Sequence, residues 1–293
     1  QFIYTCAMIL TDRYLYSDAL AELSCAEEGF EALTDRAWVA EARLQRAMIH
    51  IWQADYHAAL ALTQPIAKNG TLKATTVGRA EHLLAMIDLA NGDLDTAIGR
   101  LEAILPVFER TNDSYYVSGV LLDLAVAHTT GGNMTAASHF LQRLVAIRRT
   151  LGQPNALALA LNNLGYHYHQ IGDYELALRT LDEGLQVVGQ NVNQRSESYL
   201  RWSMGDLQRD LGNFDEALRL YENAYELNGG AEQSLQQSIT LSTATLYRWH
   251  GEYQMAARLT RELAAGVMPG EARHSMITLL AEASTYALNA LAN

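Results

Sequence analysis

At 293 residues, 49% of them hydrophobic, 18% charged and only four proline, the chain reads as helix-rich, and no apolar run approaches the ~18 to 20 residues of a membrane span. A formal charge of -12 repels phosphate and argues against direct contact with nucleic acid. Cys6 and Cys25 are too few for a disulfide framework and lead us to expect a reducing, cytoplasmic setting.

The elements repeat along the chain. Alanines recur at Ala19, Ala59, Ala97, Ala137, Ala177, Ala217 and Ala256, in steps of 40, 38, 40, 40, 40 and 39 residues. Three residues before each anchor stands a large side chain: Tyr16, Tyr56, Leu94, Met134, Tyr174, Phe214 and Tyr253. Five before it come Gly92, Gly132, Gly172, Gly212 and Gly251, with Tyr14 and Ala54 in the first two copies. Twelve before it every residue is small, from Ala7 and Ala47 to Gly165, Gly205 and Ala244. An apolar segment of helical period runs up to the glycine and a second runs on from the anchor, so each copy is a helical hairpin whose corner needs positive φ. The small residues mark where its two helices cross closely.

Taken in order, the copies cover about 1–38, 39–77, 78–117, 118–157, 158–197, 198–236 and 237–270, with one further helix over 271–293. The expected architecture is all-α, a single domain of seven hairpins and a terminal helix. Pro65 and Pro106 fall late in second helices, where they should kink or end them, whereas Pro154 is placed to open a first helix. Turn residues fill the joints: Thr111 to Ser114, Leu151 to Asn155, Gly189 to Gln194, Asn228 to Ala231 and Met268 to Glu271. The first copy starts inside its helix, and Phe2, Ile3 and Met8 at one end and Leu279, Leu280 and Leu288 at the other read as surfaces meant to be covered. We therefore expect a piece excised from a longer protein, with self-association through these ends as the other way to cover them.

In the fifth copy Leu164, Gly165, Tyr168, Gly172, Tyr174, Ala177, Leu181 and Gly184 stand at the separations of the tetratricopeptide signature, and Gly205, Gly212, Phe214, Ala217, Tyr221 and Ala224 repeat most of it in the sixth. The chain thus resembles a tetratricopeptide repeat array, with copies about six residues longer than the usual 34. That resemblance implies a right-handed superhelical solenoid. The long copies, and the phrases LGQPNALALALNNLG at 151–165 and GDLQRDLGNFDEALRLYENAYEL at 205–227, are similar to the sensor arrays of MalT-like and LuxR-type bacterial transcription regulators. In those proteins NTPase and DNA-binding modules flank the array. Kinesin light chains and cell-polarity adaptors also carry such copies, which keeps a stand-alone adaptor for an extended peptide open.

Catalysis has no motif here: GxxxxGK[ST], HExxH, CxxC and GxSxG are all absent, and no cofactor or metal is expected. His167 and His169 lie about 200° apart around a helix and cannot chelate one ion. What the resemblance does imply is an inner wall built by the first helices. Residues fifteen, eleven, eight and seven before the anchors share one face of them. In the first half that face is apolar: Leu44, Met48, Ile51 and Trp52, then His82, Met86 and Leu89, then Leu122, Val126 and Thr129. In the second half it presents Asn162, Tyr166, His169 and Gln170, then Trp202, Asp206, Arg209 and Asp210, then Thr245, Arg248 and Trp249. Aromatics and arginine beside hydrogen-bonding groups anchor partners, so we expect a protein or peptide, or a small-molecule effector, along this groove. Asp206, Arg209 and Asp210 read equally well as an ion-paired surface. A carboxylate clamp is not expected, because Asn163 is the single asparagine at its position while Gln45, Leu83, Asp123, Ser203 and Ser242 occupy the others.

Overall fold

The computed structural model describes residues 2–12, 15–189, 193–266, 280–282, 284–285, 287–288 and 290, and among them every regular element is a helix. They form two compact units, Gln1–Leu144 and Val145–Asn293. In the first, α1 (Phe2–Asp12), α2 (Tyr16–Ala32), α3 (Arg36–Trp52), α4 (Tyr56–Ala67), α5 (Ala74–Asn91), α6 (Leu94–Arg110) and α7 (Ser114–Thr130) pack as successive hairpins, and α8 (Met134–Thr150) runs across the division between units. In the second, α9 (Pro154–Gln170), α10 (Tyr174–Gly189), α11 (Gln194–Asp210), α12 (Phe214–Asn228), α13 (Gln233–Trp249) and α14 (Tyr253–Gly266) do the same. The predicted joint at Met268 to Glu271, residues 190–192 of the joint at Gly189 to Gln194, and most of the predicted last helix lie outside the described residues.

The corners are left-handed where the repeat requires it. Gly92, Gly132, Gly172, Gly212 and Gly251 have φ between 79° and 85°, and Ala54 takes the same conformation at 58° in the copy that lacks the glycine. After four of these corners the next residue caps the following helix: Asp55, Asp93, Asn133 and Asp173 accept from the backbone N–H three residues on, whereas Asn213 makes no such bond. Asp35, Asp113 and Asn193 cap first helices in the same way, and Pro154 opens α9. First helices begin three or four residues before the copy boundaries drawn from the repeat, at Arg36, Ala74, Ser114, Pro154, Gln194 and Gln233, and at Arg36, Ser114 and Gln194 the caps fix that start. Pro65 stands two residues before the end of α4, as expected, but α6 continues four residues past Pro106 to Arg110, so that proline does not stop it.

All seven anchor alanines are fully buried, and so are the alanines twelve before them in the five copies that have one, Ala7, Ala47, Ala85, Ala125 and Ala244. Between copies, large side chains join the helices. Phe30 stacks on Trp38 at 5.3 Å between centroids, and Phe108 stacks on Tyr116 at 4.9 Å with the Arg79 guanidinium 4.9 Å from the Tyr116 ring centre. Burial pushes the Tyr116 hydroxyl up to about 12, against the pull of Arg79.

A group whose folded-state pKa lies above its unfolded value of about 10 contributes stability that is complete below that value and is lost as pH rises through the folded one. Urea midpoints should therefore fall between about pH 10 and 12, and Tyr116→Phe, which keeps the ring, should make that fall shallower. Fourteen other tyrosines are present, so the difference between the two proteins, not the fall itself, isolates this hydroxyl. Identical alkaline profiles for the two proteins would show that the Tyr116 hydroxyl is not held in the fold.

Candidate functional site

In the first unit the predicted apolar wall is largely closed by helix packing. Leu44 and Ile51 are core residues, with Met48 and Met86 packed against them. His82 is 6% exposed, and its Nε2 pairs with Asp123 Oδ2 at 2.7 Å. Only Trp52 and Val126 of the face keep about half their surface, and the Trp52 ring lies 5.9 Å from that of Tyr16. The expected open apolar surface is thus corrected: neighbouring first helices sit close enough for these side chains to bury one another.

In the second unit the polar face survives as a connected network on α9, α11 and α13. Asp206 is 7% exposed, and its Oδ1 accepts from the Tyr221 hydroxyl at 2.7 Å and from Arg209 at 2.9 Å. The same guanidinium donates through Nε to Asp210 Oδ1 at 2.8 Å, while Asp210 Oδ2 meets His169 Nε2 at 2.8 Å. Arg209 also lies 5.1 Å from the ring centre of Trp249, which is 52% exposed. Trp202 donates its indole N–H to Ser242 Oγ at 2.9 Å, and Arg248 donates to Ser284 Oγ at 2.6 Å. Tyr166 is 40% exposed, its ring edge-on to His169. Asn162 is buried with no partner for its Oδ1 among the described residues, and Asn163 beside it is half-buried.

The electrostatics follow from burial. Desolvation raises the Asp206 carboxyl, opposed by Arg209 and by hydrogen bonds from Tyr221 and Ser242. Burial works against the charge on Arg209, but Asp206, Tyr221 and Asp210 outweigh it and raise that pKa. Tyr221 and Tyr166 are both raised, first by burial and then by the Asp206 charge. The other ring nitrogen of His169, Nδ1, is buried and without a partner among the described residues. Two buried, unpartnered polar atoms, Asn162 Oδ1 and His169 Nδ1, therefore accompany a guanidinium fixed from two sides under an indole.

The structure thus brings together His169, Asp206, Arg209 and Trp249, adds Tyr221 and Ser242, and leaves Met48, His82 and Met86 to packing in the other unit. Asp123, Tyr221 and Ser242 were not singled out as site residues from the sequence. Each lies one repeat or less from its partner, and His82 to Asp123, His169 to Asp210 and Trp202 to Ser242 all span 40 or 41 residues, a spacing that joins a position on one first helix to its neighbour on the next. Among the described residues no group of three His, Cys, Asp or Glu side chains is placed to hold a metal ion, and no helix is long and apolar enough to cross a membrane.

Hairpins with left-handed corners, buried anchor alanines and a side-chain network along the first helices define a tetratricopeptide-like helical repeat protein. Residues 155–228 match the tetratricopeptide repeat model. The apo form of RapI superposes with a TM-score of 0.68 at 13% identity, over 96% of this chain and 97% of that one. A Rap protein complexed with Competence and Sporulation Factor gives 0.73 at 17% identity, over 90% and 73%. A Signal Transduction ATPase with Numerous Domains, which carries a tetratricopeptide repeat sensor and comes from Pyrococcus horikoshii, gives 0.70 at 16% identity; the match takes in 98% of this chain but 43% of that protein. No curated protein sequence matches the chain.

Proposed function

We propose that the face of α9, α11 and α13 binds a peptide or protein segment, and that the array is the sensor of a bacterial signal-responsive transcription regulator whose DNA-binding and NTPase modules lie outside these residues. The observation that carries the reading is the anchor at Trp249. Its indole is half-exposed over Arg209, and Asp206 and Asp210 hold that guanidinium still, so little side-chain freedom remains to be lost on binding. Two fold neighbours support it by their own descriptions: one is complexed with Competence and Sporulation Factor, and the other is a signal transduction ATPase with a repeat sensor. The adaptor reading uses the same face and differs only in what surrounds the array.

Peptides selected from a random display library against the protein should bind Trp249→Ala at least tenfold more weakly, about 1.4 kcal/mol, and bind Trp52→Ala unchanged. Because Trp249 is half-exposed, its truncation should leave the melting curve in place. Selected peptides that hold both variants equally would remove the face from the reading.

A further inference from the structure

The first unit contains a cavity of about 400 Å³, in the size range of small-molecule sites, which shares no lining residue with the face above. Its origin can be read from the repeat. Eleven residues after the anchor, four other copies place a buried side chain, Phe30 at 6% exposure, Phe108 at 0%, Val188 at 2% and Asn228 at 6%, while the fourth copy has a half-buried Arg148. In the second copy that position is Gly70, exposed, beyond the end of α4, which has 12 residues where α2 and α6 have 17. In the third copy the Phe108 ring occupies the space over Gly78, nineteen residues before its anchor, at 3.1 Å from where a Cβ would stand. The corresponding residue of the second copy is Ala40, and it lines the cavity. The space is where a phenylalanine plug would lie.

Its walls suit an amphipathic occupant. Val39, Ala40, Ile66 and Leu72 are apolar, and Arg36 and Arg43 stand at the rim. Arg43 is shared between Glu27 and Glu31, and Glu27 also holds Arg46. Among the lining residues Arg36 and Arg43 face one glutamate, Glu31, and Arg36 has no carboxylate within ion-pair distance among the described residues, in a chain of net charge -12. We propose that this cavity binds a small carboxylate with an aromatic or branched apolar body, the body replacing the missing ring between α3 and the α4–α5 joint and the carboxylate resting on Arg36. The site is independent of the peptide-binding face.

The test uses 3-phenylpropionate, with its uncharged amide as control, followed by ligand-observed NMR on the whole chain. The acid should bind at least fivefold more tightly than the amide, and Arg36→Gln should remove that preference while leaving the weak binding of the amide. Gly70→Phe should abolish binding of both and raise Tm, because Gly70 is outside the left-handed region and a Cβ there meets nothing within 4 Å. Ala40→Met, which narrows the cavity from the other wall, should also abolish binding if the Gly70 variant folds poorly. Trp249→Ala should change nothing. No binding of the acid at roughly 10 mM, where even a Kd in the millimolar range would register, overturns the proposal. So does equal binding of acid and amide, or binding that survives both filling substitutions.

Discussion

Gly205→Ala should destabilise the second unit by about 1 to 2 kcal/mol, although alanine in a helix interior is favoured over glycine by about 1 kcal/mol. A Cβ at position 205 would stand 2.6 Å from Tyr221 Cε1 and 2.7 Å from its Cδ1. The ring cannot retreat: it is fully buried, and its hydroxyl is fixed on the Asp206 carboxylate at 2.7 Å. Either α11 and α12 separate or the Tyr221 to Asp206 bond breaks, and both outcomes cost more than propensity returns. The contrast is Gly99→Ala in α6, where a Cβ meets nothing within 4 Å and a gain of up to about 1 kcal/mol is expected. Urea denaturation of the two variants against the parent decides the matter. A Gly205→Ala protein as stable as its parent would mean that the close crossing of α11 and α12 is not a constraint.

The same crossing explains why so much of the fold was legible. A small residue on each helix and a left-handed corner between them are local demands, and each leaves its own mark at a fixed distance from the anchor alanine: Gly165 and Gly205 at twelve, Gly172 and Gly212 at five. What happens between copies is less visible. His82 and Met86 of α5 stand at the same repeat positions as Leu44 and Met48 of α3, and periodicity placed them all on one wall. Whether that wall is open depends on how near the next first helix lies, and its position is set by joint residues and caps such as Asp113 rather than by the face itself. The ion-paired alternative for Asp206, Arg209 and Asp210 is also what the structure contains, except that the network is sunk into the protein by Tyr221 from the partner helix.

The absent plug at Gly70 belongs to a third kind of information, a departure from a position that four other copies fill with a buried side chain. It was readable at eleven residues past the anchor, where Phe30, Phe108 and Val188 are apolar, but only after the structure had shown that this position is buried. A repeat lets one copy serve as the control for another. Gly70 and Ala40 acquire meaning because Phe108 and Gly78 meet in the next copy.

Replacing Arg209 by methionine should cost about 3 to 5 kcal/mol near neutral pH, the usual penalty for stranding a buried charge. The side chains of Arg209 and Asp206 are 13% and 11% exposed, so water does little to screen what is left. Methionine keeps most of the stem under Trp249 and isolates the loss of the guanidinium. Burial already raises the Asp206 carboxyl, and Arg209 is the strongest influence holding it down, so its removal lets that pKa rise further. A carboxyl raised in the folded state favours folding below its unfolded value of about 4 and loses that advantage as pH climbs through the folded one. The deficit of Arg209→Met relative to the parent should therefore be larger at about pH 8 than at about pH 4.5. Adding Asp206→Asn, which removes the stranded charge while still accepting from Tyr221, should recover most of the loss at the higher pH. A deficit independent of pH, or one that Asp206→Asn leaves untouched, would mean that Arg209 acts through its packing against Trp249 and that the network is incidental to it.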